Sequence, residues 1–140
     1  MSVESSKSVL KIVGIICIVL GVMGILGAIV LLGGGGLAVA VSGGDEELAA
    51  GGAIALAGGV VALLASIVRI LEGFFSVKAA KDSSKIMPAW IFAVIGVVSH
   101  VISLLANLQS GFSGILNSIT GLAFSALVFI AANTIKKSME

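Results

Sequence analysis

Hydrophobic positions run almost unbroken through four stretches of this chain, 9–32, 48–75, 88–108 and 115–135, parted by short polar connections. A helix that crosses a bilayer needs roughly 20 mainly apolar residues, and each stretch supplies that length. None alternates apolar and polar residues over about ten positions, as the strands of a membrane barrel do. Helices also satisfy their own backbone hydrogen bonds in lipid. The pattern predicts an all-α membrane protein: a four-transmembrane-helix antiparallel bundle forming one membrane domain over 1–140.

Composition agrees with the pattern. Hydrophobic residues make up 59% of the chain and charged residues 11%, with a mean hydropathy of +1.26. Soluble domains carry about 45–50% apolar and about 25% charged residues. The 19 glycines are spread through the spans, where they suit close approach of membrane helices. Cys17 stands alone inside the first span, so no disulfide forms within one chain. It reads as a small buried apolar residue. The first apolar run exceeds the roughly 7–15 residues of a signal-peptide core. Lys7, Lys11 and the "AVA" at 38–40 are therefore read as flanks of an uncleaved first helix.

Charge then sets the expected orientation. The eight basic residues are Lys7, Lys11, Arg69, Lys78, Lys81, Lys85, Lys136 and Lys137, all at the termini or near the second connection. The first connection carries only Asp45, Glu46 and Glu47, and the third, "QSGFSG", carries no charge. Loops rich in Lys and Arg stay in the cytoplasm. The reading is a multi-pass protein of the bacterial cytoplasmic membrane with both termini cytoplasmic, in contact with lipid and not with nucleic acid. At the second connection, Asp82, Ser83 or Ser84 is expected to cap the third helix, with Pro88 in its first turn and Trp90 at headgroup depth. The glycines at 33–36 are expected to end or loosen the first helix. They lack the Lys-Ser/Thr of a phosphate-binding loop, so no nucleotide site or other cofactor is inferred.

Small and polar residues fall at helical spacing in every span. The first gives Gly14, Cys17, Gly21, Gly24 and Ala28; the second gives Gly58, Ala62, Ala65 or Ser66, Arg69, Gly73 and Ser76. The third gives Gly96, His100, Ser103 and Asn107; the fourth gives Gly114, Ser118, Gly121, Ser125 and Ala132. Helix association in lipid depends on close backbone approach and interhelical hydrogen bonds. Gly14, Gly21, Gly24, Gly58, Gly73, Gly96 and Gly121 are thus the candidate packing positions. "KIVGIICIVLGV" and "KIMPAWIFAVIGV" also echo one another, a faint trace of a duplicated hairpin.

Two ionisable groups interrupt the second span. Arg69 precedes Lys78 by nine residues, roughly 13 Å on a continuous helix. Glu72 follows Arg69 at the spacing that lets two side chains meet. Charges at this depth cost on the order of 2.5–3.5 kcal/mol each unless paired or snorkelled. One reading is an ion pair where the helix leaves the membrane; the other is a pocket with Asn133 or His100. His100 lies near mid-membrane on the face of Ser103 and Asn107. It is either a neutral histidine hydrogen-bonded across helices or a proton relay or ligand contact. Arg69, Glu72, His100, Asn107 and Asn133 are the candidate polar residues. One histidine and one cysteine do not make a metal site, and no Ser-His-Asp arrangement can be assembled. No catalytic role is expected.

The junction "RILEGFFSVKAAKDSSKIMPAW", with the apolar helices around it, resembles small tetraspan membrane proteins of Gram-positive gut bacteria. In those a basic-glycine motif ends the second helix and a K/S-P-x-W motif opens the third. The resemblance implies a four-helix membrane fold and carries over no site residues. Paired extracellular cysteines of tetraspanins, the claudin aromatic signature and the first-helix glutamate of small multidrug transporters do not occur here; Glu4 lies outside the span. Three functions fit: a structural or interaction module packing with itself or a membrane partner, a small transporter or channel using Arg69, Glu72 and His100, and a bacteriocin-immunity-like protein.

Overall fold

The computed structural model describes the backbone of residues 1–107 and 112–140, and their side chains except those of 103, 106, 107 and 112–118. Among the described residues every regular element is helical. Helix α1 runs Val3–Val41, α2 Glu46–Lys81, α3 Ile86–Asn107 and α4 Phe112–Lys137, with a single 3-10 turn, Ser83–Lys85, ahead of α3. All four α-helices are long and apolar enough to cross a membrane.

The first span departs most from expectation. The glycines at 33–36 do not end α1, which continues through them to Val41. A glycine inside a helix costs about 1 kcal/mol relative to alanine, but lipid offers no water to receive a broken backbone ladder. Gly35 also brings a compensating contact. A Cβ there would stand 2.8 Å from the carbonyl oxygen of Gly52 and 2.9 Å from the nitrogen of Leu56. The run serves close helix approach instead of a chain break. The chain reverses at Gly43 and Gly44, with φ of 56° and 101°, the left-handed region that glycine enters without a Cβ penalty. Asp45 then caps α2, its Oδ1 accepting the N–H groups of Glu47 at 3.0 Å and Leu48 at 3.1 Å.

Between α2 and α3, Asp82 takes the capping role, with extended backbone at φ −136° and ψ 100°. Its Oδ1 accepts from the Ser84 hydroxyl at 2.6 Å and the Ser84 N–H at 3.1 Å, and Lys85 Nζ lies 3.4 Å from Oδ2. The Ser84 hydroxyl, then its N–H, and then Lys85 hold the Asp82 carboxyl below its ordinary value of 3.8.

The chain divides into two compact units, Val19–Ile70 and Met1–Ile18 with Leu71–Glu140. Val19–Ile70 is a helical hairpin of α1 and α2. A Cβ on Gly21 would meet the Ser66 carbonyl at 3.0 Å, one on Gly59 would meet Leu32 Cγ at 2.8 Å, and one on Gly52 would meet the Gly35 carbonyl at 2.8 Å. Each seven-residue step up α1, from Gly21 through buried Ala28 to Gly35, answers a seven-residue step down α2, from Ser66 through Gly59 to Gly52. That spacing keeps one seam in register along both helices. Gly58 is not on this seam: it is exposed, with open space where its Cβ would be. Ser66, named on the same predicted stripe, does lie on the seam, so the departure is at Gly58, one residue from Gly59.

The other unit holds the core. Leu10, Val13 and Cys17 of α1 meet Ala79 of α2, Ile86, Ala89 and Ala93 of α3, and Val128, Ala131, Ala132 and Ile135 of α4. Gly14 and Gly73 face one another so closely that a Cβ on either would lie 2.5–2.8 Å from the other's carbonyl oxygen. Their Cα hydrogens point at those oxygens, the arrangement of weak Cα–H···O bonds. Phe75 stacks on Phe92 at 5.2 Å between centroids beside this core. Long apolar side chains outside the seams are exposed, among them Ile54, Val61, Ile102 and Ile130.

A buried carboxyl among α2, α3 and α4

In the C-terminal part of α2 the buried positions are Glu72, Gly73, Ser76 and Ala79. They occur at one-, three- and three-residue steps and so share one helical face. Glu72 is therefore turned to the interior by the same periodicity that buries Ala79, and is only 3% exposed. Ser76 is fully buried and donates its hydroxyl hydrogen back to the Glu72 carbonyl at 2.7 Å. That hydroxyl proton is committed to the helix backbone.

The space for the carboxyl is made on α3. Where Gly96 lacks a Cβ, the two carboxyl oxygens of Glu72 lie 3.2 and 3.3 Å from the vacant position, and Ser125 Oγ of α4 lies 2.7 Å from it. Any larger residue at 96 would push into both groups. Ser125 is 2% exposed, so carboxyl and hydroxyl are shielded together. One turn along, the relation is reversed: the imidazole of His100 on α3 occupies the space left by Gly121 on α4. Four residues separate Gly96 from His100, and four separate Gly121 from Ser125. Each helix thus offers a glycine socket to a polar side chain of the other, at successive turns of an antiparallel pair.

The predicted polar residues are distributed unevenly around this centre. Glu72 and His100 belong to it. Arg69 is half-buried and belongs to the hairpin unit. Asn133 is half-buried two turns beyond Ser125 on α4, about 12 Å along the axis. The side chain of Asn107 lies outside the described residues, as do those of Ser103, Gly114 and Ser118. Of the predicted packing glycines, Gly14, Gly21, Gly24, Gly73, Gly96 and Gly121 each have atoms of a second helix where a Cβ would be. At Gly24 the obstacle is Ser66 Oγ, which donates to the Ala62 carbonyl at 2.7 Å. Sequence reasoning offered Arg69, His100 or Asn133 as company for Glu72 and did not name Ser125 beside it. The seven-residue step from Glu72 to Ala79 was the available signal.

Near the ends of α3 and α4 the chemistry is different. Lys136 Nζ lies 4.7 Å from the centre of the Trp90 ring, and Trp90 in turn lies 6.1 Å from Phe129. An ammonium over an indole face is attracted by the ring quadrupole. Among the described residues, no group of three or more His, Cys, Asp and Glu side chains converges in a way that would hold a metal ion.

No family model, curated protein or solved structure matches this chain.

Proposed function

We propose that this chain is an antiparallel four-helix bundle of a bacterial cytoplasmic membrane, with both termini in the cytoplasm, and that it acts as an interaction module packing against a second copy of itself. The resemblance of its α2–α3 junction to small tetraspan proteins of gut bacteria implies the four-helix membrane fold alone. One observation carries the assembly. Gly27 and Gly34 of α1 and Gly51 and Gly58 of α2 are exposed, with nothing within 4 Å of the Cβ each would carry. Each precedes a residue of the hairpin seam by one position, so the four lie on one side of an antiparallel pair. Glycine costs helix stability, and in lipid the return for that cost is close approach of another helix. Within the hairpin unit no helix takes that place. Helix length points the same way. With 39 and 36 residues, α1 and α2 would each exceed 50 Å at about 1.5 Å per residue. The hydrocarbon core is about 30 Å thick, and such excess is met by tilting, kinking or local thickening of the bilayer, at a cost that drives some helix–helix association.

The test is cross-linking in native membranes of single cysteines at Gly27, Gly58 and Val60, in a Cys17→Ser background. Dimers should form from Gly27 and Gly58 and not from Val60, which is exposed and lies two residues, about 200° of helix rotation, from Gly58. Equal or absent cross-linking at all three positions would end the reading.

A second reading, a small transporter or channel using Glu72 and His100, is favoured by a buried carboxyl and a half-buried imidazole on neighbouring helices. It requires loss of transport in Glu72→Gln with assembly unchanged.

A further inference from the structure

Of the seven acidic side chains in the chain, Glu72 alone is buried; Glu4, Asp45, Glu46, Glu47, Asp82 and Glu140 are exposed. It sits on a span whose surroundings are lipid, where a carboxylate loses most of its hydration. Two small residues stand beside it, Gly96 and Ser125. Gly96 clears the volume for both carboxyl oxygens, and Ser125 Oγ lies against the same point. A helix that needed only to fill space would carry an apolar side chain at these positions. The glycine at 96 and the serine at 125 instead keep two oxygen-bearing groups together out of water.

The remaining groups restrict the ligand. The Ser76 hydroxyl proton is engaged with the Glu72 carbonyl. From the neighbouring helices, α3 contributes His100, one turn beyond Gly96, and α4 contributes a hydroxyl at Ser125. On α2 itself the nearest charged residue along the chain is Arg69, half-buried and part of the hairpin unit. Alkaline-earth cations take six to eight oxygen ligands, and among the described residues no group of three or more His, Cys, Asp and Glu converges to hold one. A proton needs only one carboxyl oxygen and an acceptor for the resulting O–H. Ser125 Oγ and the His100 ring are acceptors in this part of the molecule.

We propose that Glu72 is an exchangeable proton-binding site of the membrane interior, built by Gly96 and Ser125, with His100 as the neighbouring titratable group. A proton from water adds to one carboxylate oxygen on binding and returns to water on release, with no other bond changed. The site is independent of the assembly proposed above, which is read by cross-linking.

The test uses the full chain in liposomes and the apolar reagent dicyclohexylcarbodiimide, which activates protonated carboxyls in apolar surroundings and leaves a stable N-acylurea. Intact mass and peptide mapping identify the modified residue. A single adduct at Glu72 is expected, absent from Glu72→Gln. Its formation should slow by at least about tenfold between about pH 5 and pH 10, as a protonated reactant requires. Ser125→Ala should move the pH at which labelling falls while leaving the helical circular dichroism unchanged, so that it reports the site and not the fold. Absence of a Glu72 adduct in the folded protein, or labelling at one rate across this range, would overturn the proposal. Protection by sodium at constant pH would also overturn it, in favour of a metal cation.

Discussion

The imidazole of His100 rests in the space that Gly121 leaves on α4: a Cβ on Gly121 would lie 2.6 Å from Nδ1 and 2.8 Å from Nε2. Gly121→Ala must therefore displace the ring, at a cost of about 1–3 kcal/mol for overpacking. The same substitution in a His100→Ala background should cost little, because the obstacle is gone. Thermal unfolding of the two single variants and the double variant in detergent checks this, through the departure from additivity expected of residues in contact.

The register of α2 separates two adjacent glycines. Gly59→Leu should lower thermal stability, since its Cβ already meets Leu32 Cγ at 2.8 Å and the Leu32 nitrogen at 3.1 Å. Gly58→Leu should leave the monomer's unfolding temperature unchanged, because open space surrounds it, and should weaken dimer cross-linking. Equal unfolding temperatures for both variants would show that the seam does not lie on Gly59.

The glycine run of α1 makes a similar contrast within two residues. Gly34→Ala should stabilise the helix by up to about 1 kcal/mol through propensity alone. Gly35→Ala should destabilise by about 1–3 kcal/mol, since the new methyl meets backbone that cannot swing aside, the Gly52 carbonyl at 2.8 Å. Thermal unfolding in detergent measures both.

Asp82 gives a pH dependence of known sign. Its carboxyl is held below 3.8 by the Ser84 hydroxyl and N–H and by Lys85. A depressed acid contributes stability above its unfolded value, and that contribution is lost as pH falls through the folded value. Between neutral pH and pH 3.8 the cap should be intact, and below 3.8 it should be progressively lost. Asp82→Asn should abolish that part of the acid transition, followed by the Ser84 amide resonance. An unchanged resonance profile in the variant would remove Asp82 as its source.

Orientation is checked by labelling with an impermeant thiol reagent outside intact cells, using single cysteines at Ser42 and Ser83 in a Cys17→Ser background. Ser42 lies in the acidic connection and Ser83 in the lysine-rich one, so the expected result is labelling at Ser42 alone. Labelling at Ser83 would reverse the proposed topology.

Much of the site was written in the spacing of small residues, though not the choice among neighbouring glycines. Gly96 with His100, and Gly121 with Ser125, stand four apart in the sequence, and atoms of the facing helix lie where a Cβ on either glycine would be. Gly58 and Gly59 are adjacent and chemically identical, so periodicity alone left a one-residue ambiguity. Only the packing of Leu32 against Gly59 resolves it. Glu72 was similarly ambiguous, since Arg69 at i−3 and Ala79 at i+7 indicate different environments.

The sequence by itself determined the number and apolar character of the helices, because a chain surrounded by lipid must satisfy its backbone within each span and can carry few charges there. It also narrowed the cap ahead of the third helix to Asp82, Ser83 or Ser84, since a cap depends on interactions within a few residues. The tertiary structure decided that α1 continues through 33–36, because the contact of Gly35 with Gly52 joins positions distant along the chain. It decided, too, that the Glu72 carboxyl lies beside Gly96 and Ser125. Those neighbours come from two other helices, and which helix faces a given side chain is set by the interlocking of all the seams together, a property no single segment carries.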